Sequence, residues 1–518
     1  MEVRIRYIAL WCRAIWLGWL LSSVAFAQHA LEILHADRLQ RIFRDGRRIE
    51  VLIGNVVIRH GAVELRADSI QRWVDHRRVA GWGNVRLIAH DTLRVDADSF
   101  YYWTAARQGT LYGNVLLQTP TLSLSTSRAL VDMLHQRVVI AAAYEVRHPD
   151  FQLAARWGLL RLASAHFTAR DSVKVILSDA IVYTDTLEYD HSSRWVKFPR
   201  SGSFQGRRGR LYFGRGAYSL ASRVGYYGGG VCLQLVGGLV AADSLYIHDS
   251  LGYSQWFGNV CWTQANGRVV AVGDSGWIAN TADRGYLRGD VLLHYVTGAD
   301  TLWARAAVIG WEGGGRFWKI HHSARLLIDS IGIVADSIWG DTAARIWKFF
   351  PVVVRYADFV GMADSAVWNT VADSLILHDS VWIRQLMPIP ELFHQIQGSR
   401  AVFRMNNNTF RQGCFTGNVE AVYYLLDDSN RLGGWAHVIS DSALIWFGER
   451  GSIQRFNFFP APQVTVAPPP RNSSQALFLS YARPMYWIPA VTIETFISDE
   501  KLILLHGKCC ALSSGCLD

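Results

Sequence analysis

The chain has 518 residues, of which 50% are hydrophobic and 18% are charged. This composition is too apolar for a disordered protein, and the chain is long enough to bury a large core. Only 13 prolines accompany 44 glycines, which excludes collagen and a proline-rich linker. The net charge is +9, but no concentrated basic helix or RNA-binding aromatic motif accompanies it, so a nucleic-acid partner is not expected.

The N-terminus has the pattern of a secretory signal peptide. Arg4 and Arg6 precede an apolar stretch over residues 14–26, which ends in Ala25-Phe26-Ala27. A basic start, a short apolar stretch and small residues at the end predict a cleaved signal over residues 1–27. The apolar stretch is too short to span a bilayer as a helix. We therefore expect an exported protein.

Export would place the cysteines in an oxidising compartment, where disulfides can form. The mature chain would keep Cys232, Cys261, Cys414, Cys509, Cys510 and Cys516. The sequence does not select among the connectivities of these six residues. No C-x-x-C motif occurs, and no metal site or other cofactor site is expected.

Two short sequences recur at a fixed spacing. Gly-Asn-Val begins at Gly54, Gly83 and Gly113, and Ala-Asp-Ser begins at Ala67 and Ala97. In the later part of the chain, Gly-Asn-Val begins again at Gly258 and Gly417, and Ala-Asp-Ser begins again at Ala242, Ala335, Ala363 and Ala372. A fixed period of about 30 residues predicts a repeat fold in which each unit packs on its neighbours.

Each repeat reads as two β-strands rather than helices. Val63, Leu65 and Ala67 alternate with Glu64 and Arg66, as expected for a strand with one buried face. The glycine of Gly-Asn-Val permits a positive φ or a β-bulge where the chain changes direction. The sequence therefore predicts an all-β fold, an elongated repeat of stacked antiparallel strands.

Aliphatic side chains at alternate positions of the first three repeats are predicted to point inward. They either pack against one another or line a trough that is open to apolar ligands. The candidate lining residues are Val56, Ile58, Val63, Leu65, Val85, Leu87, Leu93, Val95, Val115, Leu117, Leu122 and Leu124.

The combination of export signal and spaced motifs resembles the OstA-like family, the LptA-type proteins of lipopolysaccharide transport. The clearest stretch contains Leu34-His35-Ala36-Asp37 and GNVVIRHGAVELRADSIQRWVDHRRVAGWGNVRL. A second similar stretch covers about residues 393–468 and contains GNVEAVYYLLDDSNRLGGWAHVISDSALIWF. The chain is much longer than the single-domain members of that family.

The resemblance implies a β-jellyroll, or β-taco, that shields the acyl chains of lipid A between the inner and outer membranes. It implies that edge strands pair with other components of the bridge, or that two copies of the chain associate head to tail. It implies no catalytic residues. The corresponding domain organisation is a signal peptide over 1–27, N-terminal repeats over 28–150, degenerate repeats over 151–390, a C-terminal module over 391–470 and an undefined cysteine-containing tail over 471–518.

Two alternatives come from other functional classes. The first is a polysaccharide-active enzyme with a β-helix fold, which would need catalytic carboxylates that occur once in the chain. Asp68 and Asp98 instead occupy the same position in successive repeats, and no catalytic motif occurs. A structural or adhesin-like exported solenoid shares the repeat and needs no cargo. Lipid bound to the purified protein would favour the transport hypothesis over the structural solenoid.

Overall fold

A computed structural model describes residues 31–469, except 45, 90–92, 208, 280, 282, 298–299, 388, 390–391, 407, 428–430 and 449–452. The predicted signal peptide (1–27) and the tail (471–518) lie outside the described residues. The chain divides into two compact units, unit 1 over Met1–Pro199 and unit 2 over Arg200–Asp518. The described residues form strands and turns, and none of them belongs to a helix of the length and apolarity that a membrane crossing requires.

Unit 1 consists of short and long strands in which period-two alternation is the dominant sequence signal. Its described strands are β1 Glu32–His35, β2 Arg38–Arg44, β3 Arg47–His60, β4 Val63–Trp73, β5 Arg78–Ala89, β6 Leu93–Trp103, β7 Gln108–Gln118, β8 Ser123–Asp132, β9 Arg137–Ile140, β10 Tyr144–His148, β11 Phe151–Ala155, β12 Trp157–Arg161, β13 His166–Ile176, β14 Ala180–Asp190 and β15 Trp195–Phe198.

Unit 2 repeats the same architecture with longer strands. Its described strands are β16 Gly202–Gly206, β17 Gly209–Ser219, β18 Val224–Leu235, β19 Gly238–His248, β20 Tyr253–Gln264, β21 Val269–Ala279, β22 Gly285–Thr297, β23 Asp300–Glu312, β24 Phe317–Ile328, β25 Ile331–Asp341, β26 Ile346–Tyr356, β27 Phe359–Ala363, β28 Ser365–Asn369, β29 Ser374–Leu386, β30 Phe393–Asn406, β31 Thr409–Leu426, β32 Leu432–Phe447, β33 Ile453–Phe459 and β34 Gln463–Ala467.

Within each unit, successive long strands pair antiparallel, as β3 to β8 do in unit 1 and β17 to β26 do in unit 2. One repeat of about 30 residues therefore contributes two strands. This confirms the predicted all-β fold of stacked antiparallel strands. Where a long strand is interrupted, two short strands continue its two ends, as β9 and β10 do.

Most pairs of long strands shift register at a β-bulge near the middle, although β25 and β26 pair without a shift. β3 and β4 pair from Ile49 to Ile53 and again from Val56 to His60, and Gly54-Asn55 lies opposite the single residue Asp68. An extra residue on one strand breaks the ladder and turns the strand. We call the two halves leaf A and leaf B. Leaf A carries, for example, residues 69–73 and 99–103, and leaf B carries 56–60 and 93–97.

The two leaves of a unit face each other, and the hydrophobic core lies between them. In unit 1, His60 of leaf B forms a hydrogen bond with Tyr102 of leaf A, although β3 and β6 are not neighbours in the sheet. In unit 2, Trp262 of leaf B stacks on Trp311 of leaf A with ring centroids 4.7 Å apart. Strands three positions apart in a flat sheet would lie about 14 Å apart, so both contacts cross the interior.

Candidate functional site

The predicted inward residues form a continuous aliphatic row along leaf B of unit 1. Ile58 pairs with Leu65, Leu65 with Leu87, and Leu87 with Val95. The row continues from Val95 through Leu117 and Leu124 to Val146. The exposed fraction is 0–5% for Val56, Ile58, Val63, Leu65, Val85, Leu87, Leu93, Val95, Val115, Leu117 and Leu124.

Leu122 differs from the other eleven candidates. It precedes β8 in a turn, where its carbonyl accepts a hydrogen bond from the Thr119 N–H at 2.9 Å, and its side chain is half-buried. In the sequence, Leu122 and Leu124 flank Ser123 and so look like alternate residues of one strand. Apolar residues two positions apart can also occur where a turn precedes a strand, as Leu122 does here.

The interior is closed at the eleven buried positions. Their low exposure means that they pack against protein atoms and that none of them lines a water-sized channel. The opposing side chains on leaf A include Ile70, Val79, Phe100, Leu111 and Val131, which are 0–2% exposed. An acyl chain can therefore reach this row only if the leaves separate.

Sequence reasoning missed the leaf A residues because the bulge shifts the phase of alternation. Ala67 and Ile70 both point inward although they are three residues apart, and Ala97 and Phe100 repeat this spacing. A strict period of two would place Ile70 and Phe100 on the outer face. The Asp that separates the two phases is the sequence signal that could have located the shift.

The recurring Asp and Asn residues hold the bulges together. The amide Nδ2 of Asn84 donates to Asp68 Oδ2 at 2.9 Å, and Asn114 Nδ2 donates to Asp98 Oδ2 at 3.1 Å. In unit 2, Asn259 Nδ2 donates to Asp243 Oδ2 at 2.8 Å. The Ala-Asp-Ser sequences at Ala67, Ala97 and Ala242 are thus tied to the Gly-Asn-Val that follows each of them, which gives these carboxylates a structural role.

Glycine suits the bulge at Gly83 for two reasons. Gly83 has a φ of +76°, in the left-handed region that side chains disfavour. A Cβ atom at Gly83 would also collide with the carboxylate of Asp68. The two repeated motifs therefore form one structural element, which we call the Asp–Gly–Asn corner.

We call the edge where the strand ends of the two leaves meet, opposite the corners, the mouth of each unit. At the mouth of unit 1, His60 Nδ1 lies 2.6 Å from the Tyr102 hydroxyl, and Arg194 donates to Asp150 Oδ2 at 2.6 Å. At the mouth of unit 2, Asn408 Nδ2 donates to Asp329 Oδ2 at 2.6 Å. Each contact joins leaf A to leaf B.

Burial at the mouths shifts the pKa of several groups. It raises the pKa of Tyr102 to about 12, so this phenol keeps its proton. Burial also lowers the pKa of His148, which stacks on Phe151 with ring centroids 4.7 Å apart. In unit 2, burial lowers the pKa of His394 to about 4, and His394 Nδ1 accepts the backbone N–H of Tyr424 at 3.2 Å.

The outer face of leaf B in unit 1 is charged, as the alternation predicts. Arg86 Nε lies 2.7 Å from Asp96 Oδ1, and Arg94 Nε lies 3.0 Å from Asp96 Oδ2. Arg66 pairs with Glu64 at 2.6 Å. Among the residues that the structure describes, no group of three His, Cys, Asp or Glu side chains is arranged to hold a metal ion.

A repeated antiparallel sheet folded around an apolar interior defines a class of β-rich repeat proteins. Within that class, the family model described as OstA-like protein matches residues 28–180, which confirms the resemblance inferred from the repeats. OstA-like proteins are typically periplasmic and are associated with transport of lipopolysaccharide or organic solvents rather than with catalysis. No curated protein matches the chain.

Proposed function

We propose that this protein is a periplasmic bridge protein that holds the acyl chains of lipid A between its leaves during transport of lipopolysaccharide to the outer membrane. The supporting observation is the aliphatic row from Ile58 to Val146, which crosses successive strands without a polar residue. The residues of this row offer similar environments, so an acyl chain can move along it without meeting one deep trap.

The energetics favour burial of acyl chains over their exposure to water. Each CH₂ group removed from water contributes about 0.8 kcal/mol, so a chain of about a dozen carbons contributes roughly 10 kcal/mol before ordering costs. In the closed state the two leaves already bury each other. The net gain on lipid binding is therefore smaller, because contacts between the leaves are exchanged for contacts with lipid.

Entry requires the mouth to open, since hydrogen bonds from Asn84 and Asn114 hold the corners of unit 1. The contacts of His60 and Arg194 that bridge the mouth of unit 1 join side chains to side chains. Separation of the leaves there would bring the acyl chains to the aliphatic row and leave sugars and phosphates in water. Arginines outside the mouth could then bind the phosphates.

The N-terminal edge of unit 1 offers an attachment point for a further strand. In the described part, β2 pairs only with β3, and its Leu39, Ile42 and Phe43 are 43–74% exposed. Exposed edge strands accept extended segments by β-augmentation. The proposed partners at this edge are other components of the lipopolysaccharide bridge or a second copy of this chain.

Mass spectrometry of lipids that co-purify with the full chain tests the proposal. We expect lipid A species that are absent from a mock purification of the same extract. A structural solenoid without cargo is the second candidate, and the closed packing of the inward side chains favours it. A lipid-free protein that also fails to take up added lipopolysaccharide would exclude the transport proposal and leave the solenoid.

A further inference from the structure

Parts of the outer face of leaf B in unit 2 are buried, as its inner face is. Trp262 points inward and stacks on Trp311 across the interior, so its neighbour Cys261 points to the outer face. Cys261, Leu292 and Leu327 on the outer face are nevertheless only 2–4% exposed. Further along the same face, Trp382 is 4% exposed and Val422 is 0% exposed.

Elsewhere the outer face of leaf B is open to water, since Arg66 and Arg94 of unit 1 and Arg325 of unit 2 are exposed. The cluster of Cys261, Val270, Leu292 and Leu327 has two partly buried hydrophobic neighbours, Val272 and Trp303. Both neighbours belong to the same outer face. Among the described residues, the hydrophobic side chains packed on this cluster therefore lie beside it rather than above it.

A second cluster on this face lies near the end of unit 2. It contains Trp382, Leu392, Val422 and Tyr424, and it is packed by residues that include Met387 and Ile389. Burial lowers the pKa of the adjacent Arg384, with a smaller contribution from the charge of Arg355. Desolvation of a guanidinium on an outer sheet face indicates that the face is shielded from water.

The disulfide chemistry points to what covers the face. Cys232 and Cys261 are both disulfide-bonded, whereas Cys414 is free. In the sheet register, Cys232 lies opposite Ala241, and Ala241 lies opposite Cys261. The two cysteines are therefore separated by two strand spacings, or about 9.5 Å between Cα atoms. A disulfide requires Cα atoms within about 7 Å, so these two residues are too far apart to bond to each other.

We infer that the C-terminal segment 471–518 crosses the outer face of leaf B and is tethered there by disulfides from Cys232 and Cys261 to two of Cys509, Cys510 and Cys516. Each bond forms from two thiols, which release two protons and two electrons. A disulfide-bearing thiol oxidoreductase accepts the electrons by exchange and leaves as the dithiol. The tether is independent of any lipid cargo.

The length and the starting point of the segment suit this path. β34 ends at Ala467, which pairs with Trp435 at the end of the outer face that carries the second cluster. From β32 to β20 is about eleven strand spacings, or roughly 53 Å. The 42 residues from Ala467 to Cys509 could span up to about 140 Å when extended, so they can reach Cys261 with turns to spare.

The composition of the segment also suits an apolar face. It contains Leu477-Phe478-Leu479 and Ile503-Leu504-Leu505, two short apolar runs that can cover hydrophobic side chains. The path from β32 toward β20 passes over the second cluster first and over the Cys261 cluster last. A segment on this path would account for the low exposure of Cys261, Leu292 and Leu327.

Peptide mapping of the full mature chain without reductant tests the tether directly. Cleavage at aromatic residues separates Cys232 from Cys261, and we expect each of the two resulting peptides to be cross-linked to a peptide with Cys509, Cys510 or Cys516. The matched control, Cys414→Ser, should give the same cross-links. A peptide in which Cys232 is bonded to Cys261, or a disulfide between two chains, would overturn the inference.

A thiol count gives a second readout that does not depend on native packing. In the full chain carrying Cys509→Ser, Cys510→Ser and Cys516→Ser, the inference predicts three free thiols under denaturing conditions without reductant. They are Cys232, Cys261 and Cys414. A count of one would mean that Cys232 and Cys261 bond to each other and would contradict the tether, whatever the lipid content of the protein.

Discussion

His60 Nδ1 lies 2.6 Å from the hydroxyl oxygen of Tyr102, and the two rings meet edge to face with centroids 5.7 Å apart. The residues belong to β3 and β6, which two further strands separate in the sheet. Both side chains are buried, at 9% and 3% exposure. The contact therefore links the two leaves of unit 1 across the mouth, where the proposed transport would require them to separate.

Tyr102→Phe should lower the free energy of unfolding by about 1–3 kcal/mol, because it removes this buried hydrogen bond and leaves the ring nitrogen of His60 without it. Urea unfolding of the full chain measures the change. Tyr101→Phe is the matched control, since Tyr101 is the neighbouring residue and is 41% exposed. Equal effects of the two substitutions would show that the cross-mouth bond does not stabilise the closed state.

Locking the mouth should block lipid uptake. In a Cys414→Ser background, cysteines placed at His60 and Tyr102 and joined by a bismaleimide would prevent the leaves from separating. We expect at least a tenfold loss of bound lipopolysaccharide relative to the same variant before cross-linking. The control pair is Trp103→Cys with Gln108→Cys, which are paired within leaf A, so that cross-link leaves the mouth free. Undiminished uptake by the locked protein would refute entry through the mouth.

Gly83→Ala should lower the free energy of unfolding more than an alanine substitution at another glycine with a similar φ. A side chain at a φ of +76° costs about 1–2 kcal/mol, and displacing Asp68 from Asn84 costs about 1–2 kcal/mol more. Gly46→Ala is the control, because Gly46 has a φ of +68° and no atom within 4 Å of the added Cβ. Similar unfolding midpoints for both variants would remove the requirement for glycine in the corner.

The pKa of His394, which burial lowers to about 4, predicts a loss of stability in mild acid. Between about pH 6.5 and 4 the unfolded chain binds a proton that the folded chain does not bind, so the free energy of unfolding falls as the pH falls. The full contribution is about 3 kcal/mol, reached near pH 4. Denaturation of the wild type and of His394→Gln at several pH values should show a flatter dependence in the variant. Parallel curves would contradict this assignment.

The amino-acid sequence predicted the strands and their repeat because alternation and spacing are local properties. It placed Leu65 and Val95 inward correctly, since each lies on an uninterrupted half-strand. It did not predict Ile70 as inward, because the bulge beside Asp68 changes the phase. The sequence also could not predict Tyr102 as the partner of His60. That hydrogen bond joins residues 42 positions apart and depends on how the two leaves pack against each other.

The central claim is that acyl chains of lipid A occupy the space between the leaves. Photo-crosslinking from a photoreactive amino acid at Leu65 or Val95, during lipopolysaccharide transport, tests it most directly. The exposed outward neighbours Arg66 and Arg94 are the matched controls. We predict lipid A adducts from the two inward positions and none from the two outward positions. Adducts at neither inward position, in protein that is folded and exported, would contradict the account.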